Sequence, residues 1–341
     1  MLKRILVLNL LVSFLFAQPN IPKQLDSVWF NESSSTIFGV MNKTPSTINT
    51  FSILKEFKVD WIVKDSTLNP SISLEFAPLW VTVFKGVNYK EYARLPYPIR
   101  RLSDMTLSVG NFKSGTNGIA GYAIRYNIFN NHNPAEDKKL MLKIERIYSV
   151  REQELIEQIT LKEIQKEFGG VGTNGDLAQM EAELKAIQDA ESRKIGKMLD
   201  EFRSNNWNAA FMNIGWGQTI EYSLPSGDYD TFKPGTNMYC VWLQTGFGLG
   251  KIGMVSVLNR WKIDDRLENG INIRMGIEKQ NFFIEYINDF ILSGDMKHLI
   301  NFGGSFNIKN KFFANIGLRI TVGTGAKFEM FQPIINVNMR L

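Results

Sequence analysis

From Leu299 to Ile308 apolar and small polar positions alternate without a break: Ile300, Phe302, Gly304, Phe306 and Ile308 form one row, Asn301, Gly303, Ser305 and Asn307 the other. In an extended strand the two rows face opposite ways. A membrane-spanning β-barrel needs that arrangement, because hydrocarbon wets one face of each strand and the lumen the other. The final residues, FQPIINVNMRL, repeat it, with Ile335, Val337, Met339 and Leu341 outward and Asn336, Asn338 and Arg340 inward. Lys311 to Thr321 sets Phe312, Ala314, Ile316, Leu318 and Ile320 against Phe313, Asn315, Gly317 and Arg319. Ile271, Ile273, Met275 and Ile277 alternate with Asn272, Arg274, Gly276 and Glu278. Turning Arg274 to lipid at mid-depth costs about 2–4 kcal/mol, which fixes the register of that strand.

The same period continues toward the N-terminus. Phe282, Ile284 and Tyr286 oppose Glu285, and Tyr239, Val241, Leu243, Phe247 and Leu249 oppose Cys240, Trp242, Gln244, Gly246 and Gly248, followed by a strand from about Ile252 to Trp261. Met212, Ile214 and Trp216 alternate with glycines and Asn213, and Ala120, Tyr122, Ile124, Tyr126 and Ile128 with Gly121, Ala123, Arg125 and Asn127. Earlier spans are Met105 to Phe112, Ser71 to Phe84 with Ser73 and Glu75 inward, and Phe51 to Val63. The pattern predicts an all-β membrane barrel: about twelve antiparallel strands, up-and-down and closed.

Between Pro134 and Arg203 the period changes to about 3.6. Leu140, Ile144 and Ile147 open the apolar stripe, then Leu161, Ile164 and Phe168, then Leu177, Met180, Leu184 and Ile187, and finally Ile195, Met198 and Phe202. This predicts an inserted α-helical hairpin, its first helix capped by Asn133 and its second by Thr173, with Gly169 and Gly170 at the turn. The segment holds 15 acidic and 12 basic residues, mixed in sign, as a solvated face does. Counting strands back from Leu341 places the insert on the periplasmic side with both termini, and predicts longer links on the outside at 218–236, 263–270, 291–297 and 322–330.

Lys3 and Arg4 precede an apolar run, Ile5 to Phe16, too short to span a bilayer, and Ala17 ends it; this reads as a secretory signal peptide over 1–17. The organisation that follows is an N-terminal segment 18–50 with room to lie partly inside the barrel, first strands 51–130, the helical insert 131–205 and remaining strands 206–341. Without Lys3 and Arg4 the 39 basic residues become 37 against 34 acidic, a balance that gives no reason to expect nucleic acid. Cys240 is alone, so no intramolecular disulfide and no multi-cysteine metal site is expected. The localisation implied is the outer membrane, with its lipid as the first partner and no cofactor.

Two stretches, TIFGVMNKTPSTI at 36–48 and NPSISLEFAPLW at 69–80, resemble the N-terminal part of an uncharacterised group of bacterial envelope proteins whose remaining chain looks like an outer-membrane barrel. The resemblance implies location and fold and brings no activity. The C-terminal strand resembles the signal that barrel-assembly machinery reads on its clients, with Leu341 where an aromatic residue is usual.

Candidate chemistry is sparse. His132 and His298 are the two imidazoles, and neither sits in a hydrolase signature, so no catalytic residue is assigned and no enzyme is expected. The stretch GGVGTNGD, 169–176, lacks the Lys and Ser/Thr of a phosphate loop. The lumen-facing polar candidates are Glu75, Arg125, Arg274, Glu278, Glu285, Asn301, Arg319, Asn336 and Arg340, which either line an aqueous path or pair with one another. Two functions follow: a narrow channel or transporter for small solutes, and a membrane-anchored scaffold whose helical hairpin binds a periplasmic protein through Leu140, Ile144, Ile147, Leu184, Ile187, Met198 and Phe202.

Overall fold

The computed structural model describes residues 34–48, 57–64, 67–83, 95–134, 137–147, 154–161, 174–225, 231–263, 266–277, 279–291, 294, 296–309, 312–323 and 327–340. Twelve strands close into one antiparallel barrel in sequence order. They are β1 Lys58–Lys64, β2 Thr67–Phe76, β3 Thr106–Ser114, β4 Asn117–Asn130, β5 Phe211–Ser223, β6 Lys233–Gly248, β7 Gly253–Lys262, β8 Arg266–Ile277, β9 Gln280–Ile291, β10 Met296–Lys309, β11 Phe312–Gly323 and β12 Lys327–Arg340. The seam joins first strand to last, from Lys58 opposite Arg340 to Val63 opposite Ile335, so no edge is left bare.

The two rows of each strand fall as their chemistry requires. Asn272, Arg274, Glu285, Asn301 and Asn336 are buried inside, while Ile271, Ile273, Ile284, Phe302 and Ile335 are exposed outside. Among the described residues no helix is long and apolar enough to cross a membrane. On the outer face Tyr122 and Trp216 meet edge to face at 5.3 Å, and the Tyr122 hydroxyl donates to Gln218 at 2.8 Å.

Because β1 begins and β12 ends at the same rim, every second link lies there too. That terminal rim carries the helices: α1 excepted, which lies inside the barrel at Thr36–Val40, they are α2 Pro78–Thr82, α3 Tyr97–Ser103, α4 Lys138–Glu145, α5 over 154–161 and α6 Asn174–Asn206. At the far rim the links 224–232, 263–265, 292–295 and 324–326 are shorter than the sequence pattern predicts, because the strands run on past their apolar rows.

Three other expectations are corrected. The strand drawn from Ser71 to Phe84 stops at Phe76, where Pro78 takes the first position of α2. The first insert helix is capped by Asp137, whose carboxylate accepts from the N–H groups of Lys139 (2.8 Å) and Leu140 (3.0 Å); Asn133 is instead buried in the turn after β4. That helix ends at Glu145, so the first arm of the insert is not continuous, whereas α6 runs 33 residues, about 50 Å at ~1.5 Å per residue. The signal peptide, the segment 18–33, Thr173 and the Gly169–Gly170 turn lie outside the described residues.

The apolar stripe of the insert closes a small core of its own. Leu140 and Ile144 of α4 and Ile195, Leu199 and Phe202 of α6 pack around Trp80 of α2 and Ala77, with Ile147 and Met198 at the margin. Leu184 and Ile187 are half-buried further along α6.

Candidate functional site

Residues 34–48 occupy the lumen. They are buried apart from half-buried Asn42 and Lys43, and Ile37, Phe38, Val40, Met41 and Ile48 pack against the inward side chains Ile62, Phe112, Ala123, Cys240, Trp242 and Leu258. The segment's contacts pass from Asp60 and Glu75, near the terminal ends of β1 and β2, to Arg260 and Glu268, near the far ends of β7 and β8, and then to Arg319 and Glu285 in β11 and β9. Its turn follows α1: Asn42 takes a positive φ of 55°, and the Lys43 N–H donates to the Phe38 carbonyl at 2.9 Å, a helix ending that asparagine tolerates.

A backbone placed in a barrel without a ladder needs its polar groups satisfied by side chains. The wall supplies them by charge. Carboxylates take the N–H groups: Asp60 accepts from Ser35, Glu75 from Thr36 at 3.1 Å, and Glu285 from Thr47 and Ile48, both at 2.8 Å. Guanidinium groups take the carbonyls: Arg260 donates to Gly39 at 2.9 Å, and Arg319 to Thr44 at 2.9 Å and to Asn42. Side chains add the Thr36 hydroxyl on Glu75 (2.8 Å), the Ser46 hydroxyl on Glu285 (2.7 Å), and Asn42, which accepts from Arg260 at 2.7 Å and donates to Glu268 at 3.2 Å.

Most of the anchoring charges are themselves held. Glu75 is fully buried between Lys58 at 3.0 Å and Arg125 at 3.2 Å. Glu268 pairs with Arg260 and Lys262. Glu285 accepts from Asn272 at 3.1 Å and Asn301 at 2.6 Å, and Asn301 in turn accepts from Arg319 at 2.9 Å. Charged hydrogen bonds of this kind are the strong ones.

The wall also makes space. A Cβ at Gly110 would lie 2.8 Å from Ile37, at Gly317 2.8 Å from Pro45, and at Gly270 3.0 Å from Ile48. Inward glycines in strands often mark a backbone approaching closely, and here the approaching backbone is the plug. Beside it, between Gly39, Thr47, Trp242 and Arg260, a space of about 20 Å³ remains, enough for one water-sized molecule.

Of the lumen-facing candidates, Glu75, Arg125, Glu285, Asn301 and Arg319 converge on this plug or on its anchors. Arg274 does not; it donates to Asn281 (2.7 Å) and Ser305 (3.0 Å) lower in the wall. Asn336 is buried beside the seam, while Glu278 and the side chain of Arg340 lie outside the described residues. Alternation alone did not single out Lys58, Asp60, Arg260, Lys262 and Glu268 as inward. In β7 the alternate apolar row Val255, Val257 and Trp261 is the sequence signal that would have set Arg260 and Lys262 inward.

The histidines lie apart. His132 is buried in the turn after β4, its Nε2 donating to the Trp207 carbonyl at 3.2 Å, and burial lowers its pKa to about 4. His298 is on the outer face, its Nδ1 hydrogen-bonded with the Tyr286 hydroxyl at 2.7 Å.

No protein-family model and no curated protein matches the sequence. Solved structures to which the chain is similar include the KdgM porin (7% identity, 84% of this chain and 99% of that one, TM-score 0.37), the outer membrane protein Omp33 of Acinetobacter baumannii (7%, 85% and 99%, 0.33) and the CymD monoaromatic hydrocarbon channel (8%, 84% and 87%, 0.35). The likeness is one of outline and carries no residue assignment.

Proposed function

We propose that the chain is an outer-membrane channel for small solutes whose bore is closed by residues 34–48. The observation that carries this reading is the plug's mode of attachment: its backbone is tied to the wall by side chains of β1, β2, β7, β9 and β11, and to none by a ladder. A closed barrel offers no free ladder edge to a segment inside it, so these bonds are made to side chains, which can exchange partners without opening a rung. The exposed apolar rows fit lipid, and by the usual arrangement of outer-membrane barrels the terminal rim, with its helices, faces the periplasm. The C-terminal strand β12 would be the element that assembly machinery engages during insertion.

Conductance in planar bilayers tests the reading. The full chain is expected to be mostly closed, and a variant with residues 36–48 replaced by a Gly/Ser linker to conduct steadily. A linker variant that folds, judged by heat-modifiable migration, yet passes no current defeats the proposal.

A second reading, a scaffold for a periplasmic protein, draws on Leu142, Ile156 and Leu161, which are exposed on α4 and α5. The stripe first considered for that role is largely turned onto Trp80. Replacing the three exposed residues by Ser should abolish partner capture while leaving conductance alone.

A further inference from the structure

At the far rim, between β3, β4, β5 and β6, lies a cavity of about 440 Å³ open to solvent. Its volume is that of a site for a sugar-sized molecule. Lys43, from the turn of the plug, enters it with its ammonium group 4.5 Å from the centroid of the Phe112 ring, and Lys233 lines it from the start of β6. Tyr222, buried and donating to Asn111 at 2.7 Å, forms an apolar wall, and Asn117 and Glu221 supply hydrogen-bonding groups.

We infer that this cavity binds a small organic anion, a carboxylate on a hydroxylated body, with Lys43 and Lys233 taking the charge, Phe112 and Tyr222 the body, and Asn117 and Glu221 the hydroxyls. An ammonium positioned over an aromatic ring is already oriented, so less freedom is lost when an anion docks on it. The inference deepens the channel reading and rests on it for the direction from which the solute arrives. One wall of the site belongs to the plug, so the occupant touches the element that closes the bore.

The test is isothermal titration calorimetry on the full chain in detergent at low salt, with gluconate as the anion and glucose as its uncharged counterpart. Gluconate is expected to bind saturably and at least tenfold more tightly than glucose. Lys43→Ala and Lys233→Ala should each weaken it about tenfold, and Lys43→Arg should restore most of the affinity, with heat-modifiable migration confirming that each variant is folded. Absence of gluconate binding to the folded wild type, equal binding of glucose, or alanine variants of unchanged affinity would each overturn the inference. Binding at equilibrium needs no current, so the two proposals fail separately: gluconate bound without conductance removes the pore, and conductance without binding removes the site.

Discussion

Glu285 holds the last three residues of the plug, through the N–H groups of Thr47 and Ile48 and the hydroxyl of Ser46. Replacing it with alanine leaves those donors without their acceptor, at about 1–3 kcal/mol for a buried group. The expected result for Glu285→Ala is a folded barrel with frequent openings in single-channel records; records as quiet as the wild type's would contradict the anchoring role. His132 gives a prediction of a different kind. Its folded pKa of about 4 lies below the ordinary value of 6.5, so the unfolded chain binds the proton more readily. Stability on this account is full above pH 6.5, declines as pH falls toward 4, and levels off below that, by about 3 kcal/mol in all at ~1.4 kcal/mol per pH unit. Urea unfolding in detergent at pH 7.5 and 4.5 should show the drop in the wild type and a smaller one in His132→Gln, which keeps a donor for the Trp207 carbonyl and does not titrate.

Among the elements, the strands were legible and so was room in the bore for an N-terminal segment within 18–50, but the path and contacts of the plug were not, for physical reasons. Lipid and lumen impose period two over ten or more residues, and the alternation of Ile271 through Ile277 with Asn272 and Arg274 reports that directly. The plug has only a five-residue helix, α1, and is held through its backbone, whose hydrogen bonds leave no trace in the side-chain pattern. What was written in the sequence is the wall's half: Glu75, Glu285 and Arg319 as inward charges, and inward glycines such as Gly110 and Gly317. Gly317→Val should therefore push against Pro45 and raise the open fraction, with an overpacking cost of about 1–3 kcal/mol. An unchanged open fraction in the folded variant would mean the plug gives way elsewhere. The helical insert was legible as period 3.6, but its break after Glu145 and its packing on Trp80 were not, since Trp80 lies in the span read as strand. Trp80→Ala removes the centre of that small core, typically 3–5 kcal/mol for a large aromatic, and should make α4 and α6 sensitive to trypsin while heat-modifiable migration of the barrel stays the same.

For the whole molecule, the two resembling stretches, 36–48 and 69–80, prove to be neighbours: Thr36 of the first rests on Glu75 of the second. The plug's bonds described above run to barrel strands, and the insert's core runs to α2, so the two assemblies are built on different partners. Replacing residues 135–208 by a short turn is expected to leave a folded barrel with wild-type conductance. A constantly open pore after that deletion would show that the insert steadies the plug.

Residues 34–48 are held to the wall by side chains, so they fill the lumen without adding a rung to the ladder around them. Ser35 is tied to Asp60 near the start of β1, and β1 itself begins ten residues after Ile48, at Lys58. On the channel reading proposed above, such a segment would leave without parting a strand or crossing a seam. Its withdrawal would be an exchange of side-chain partners, with the cylinder around it keeping every rung.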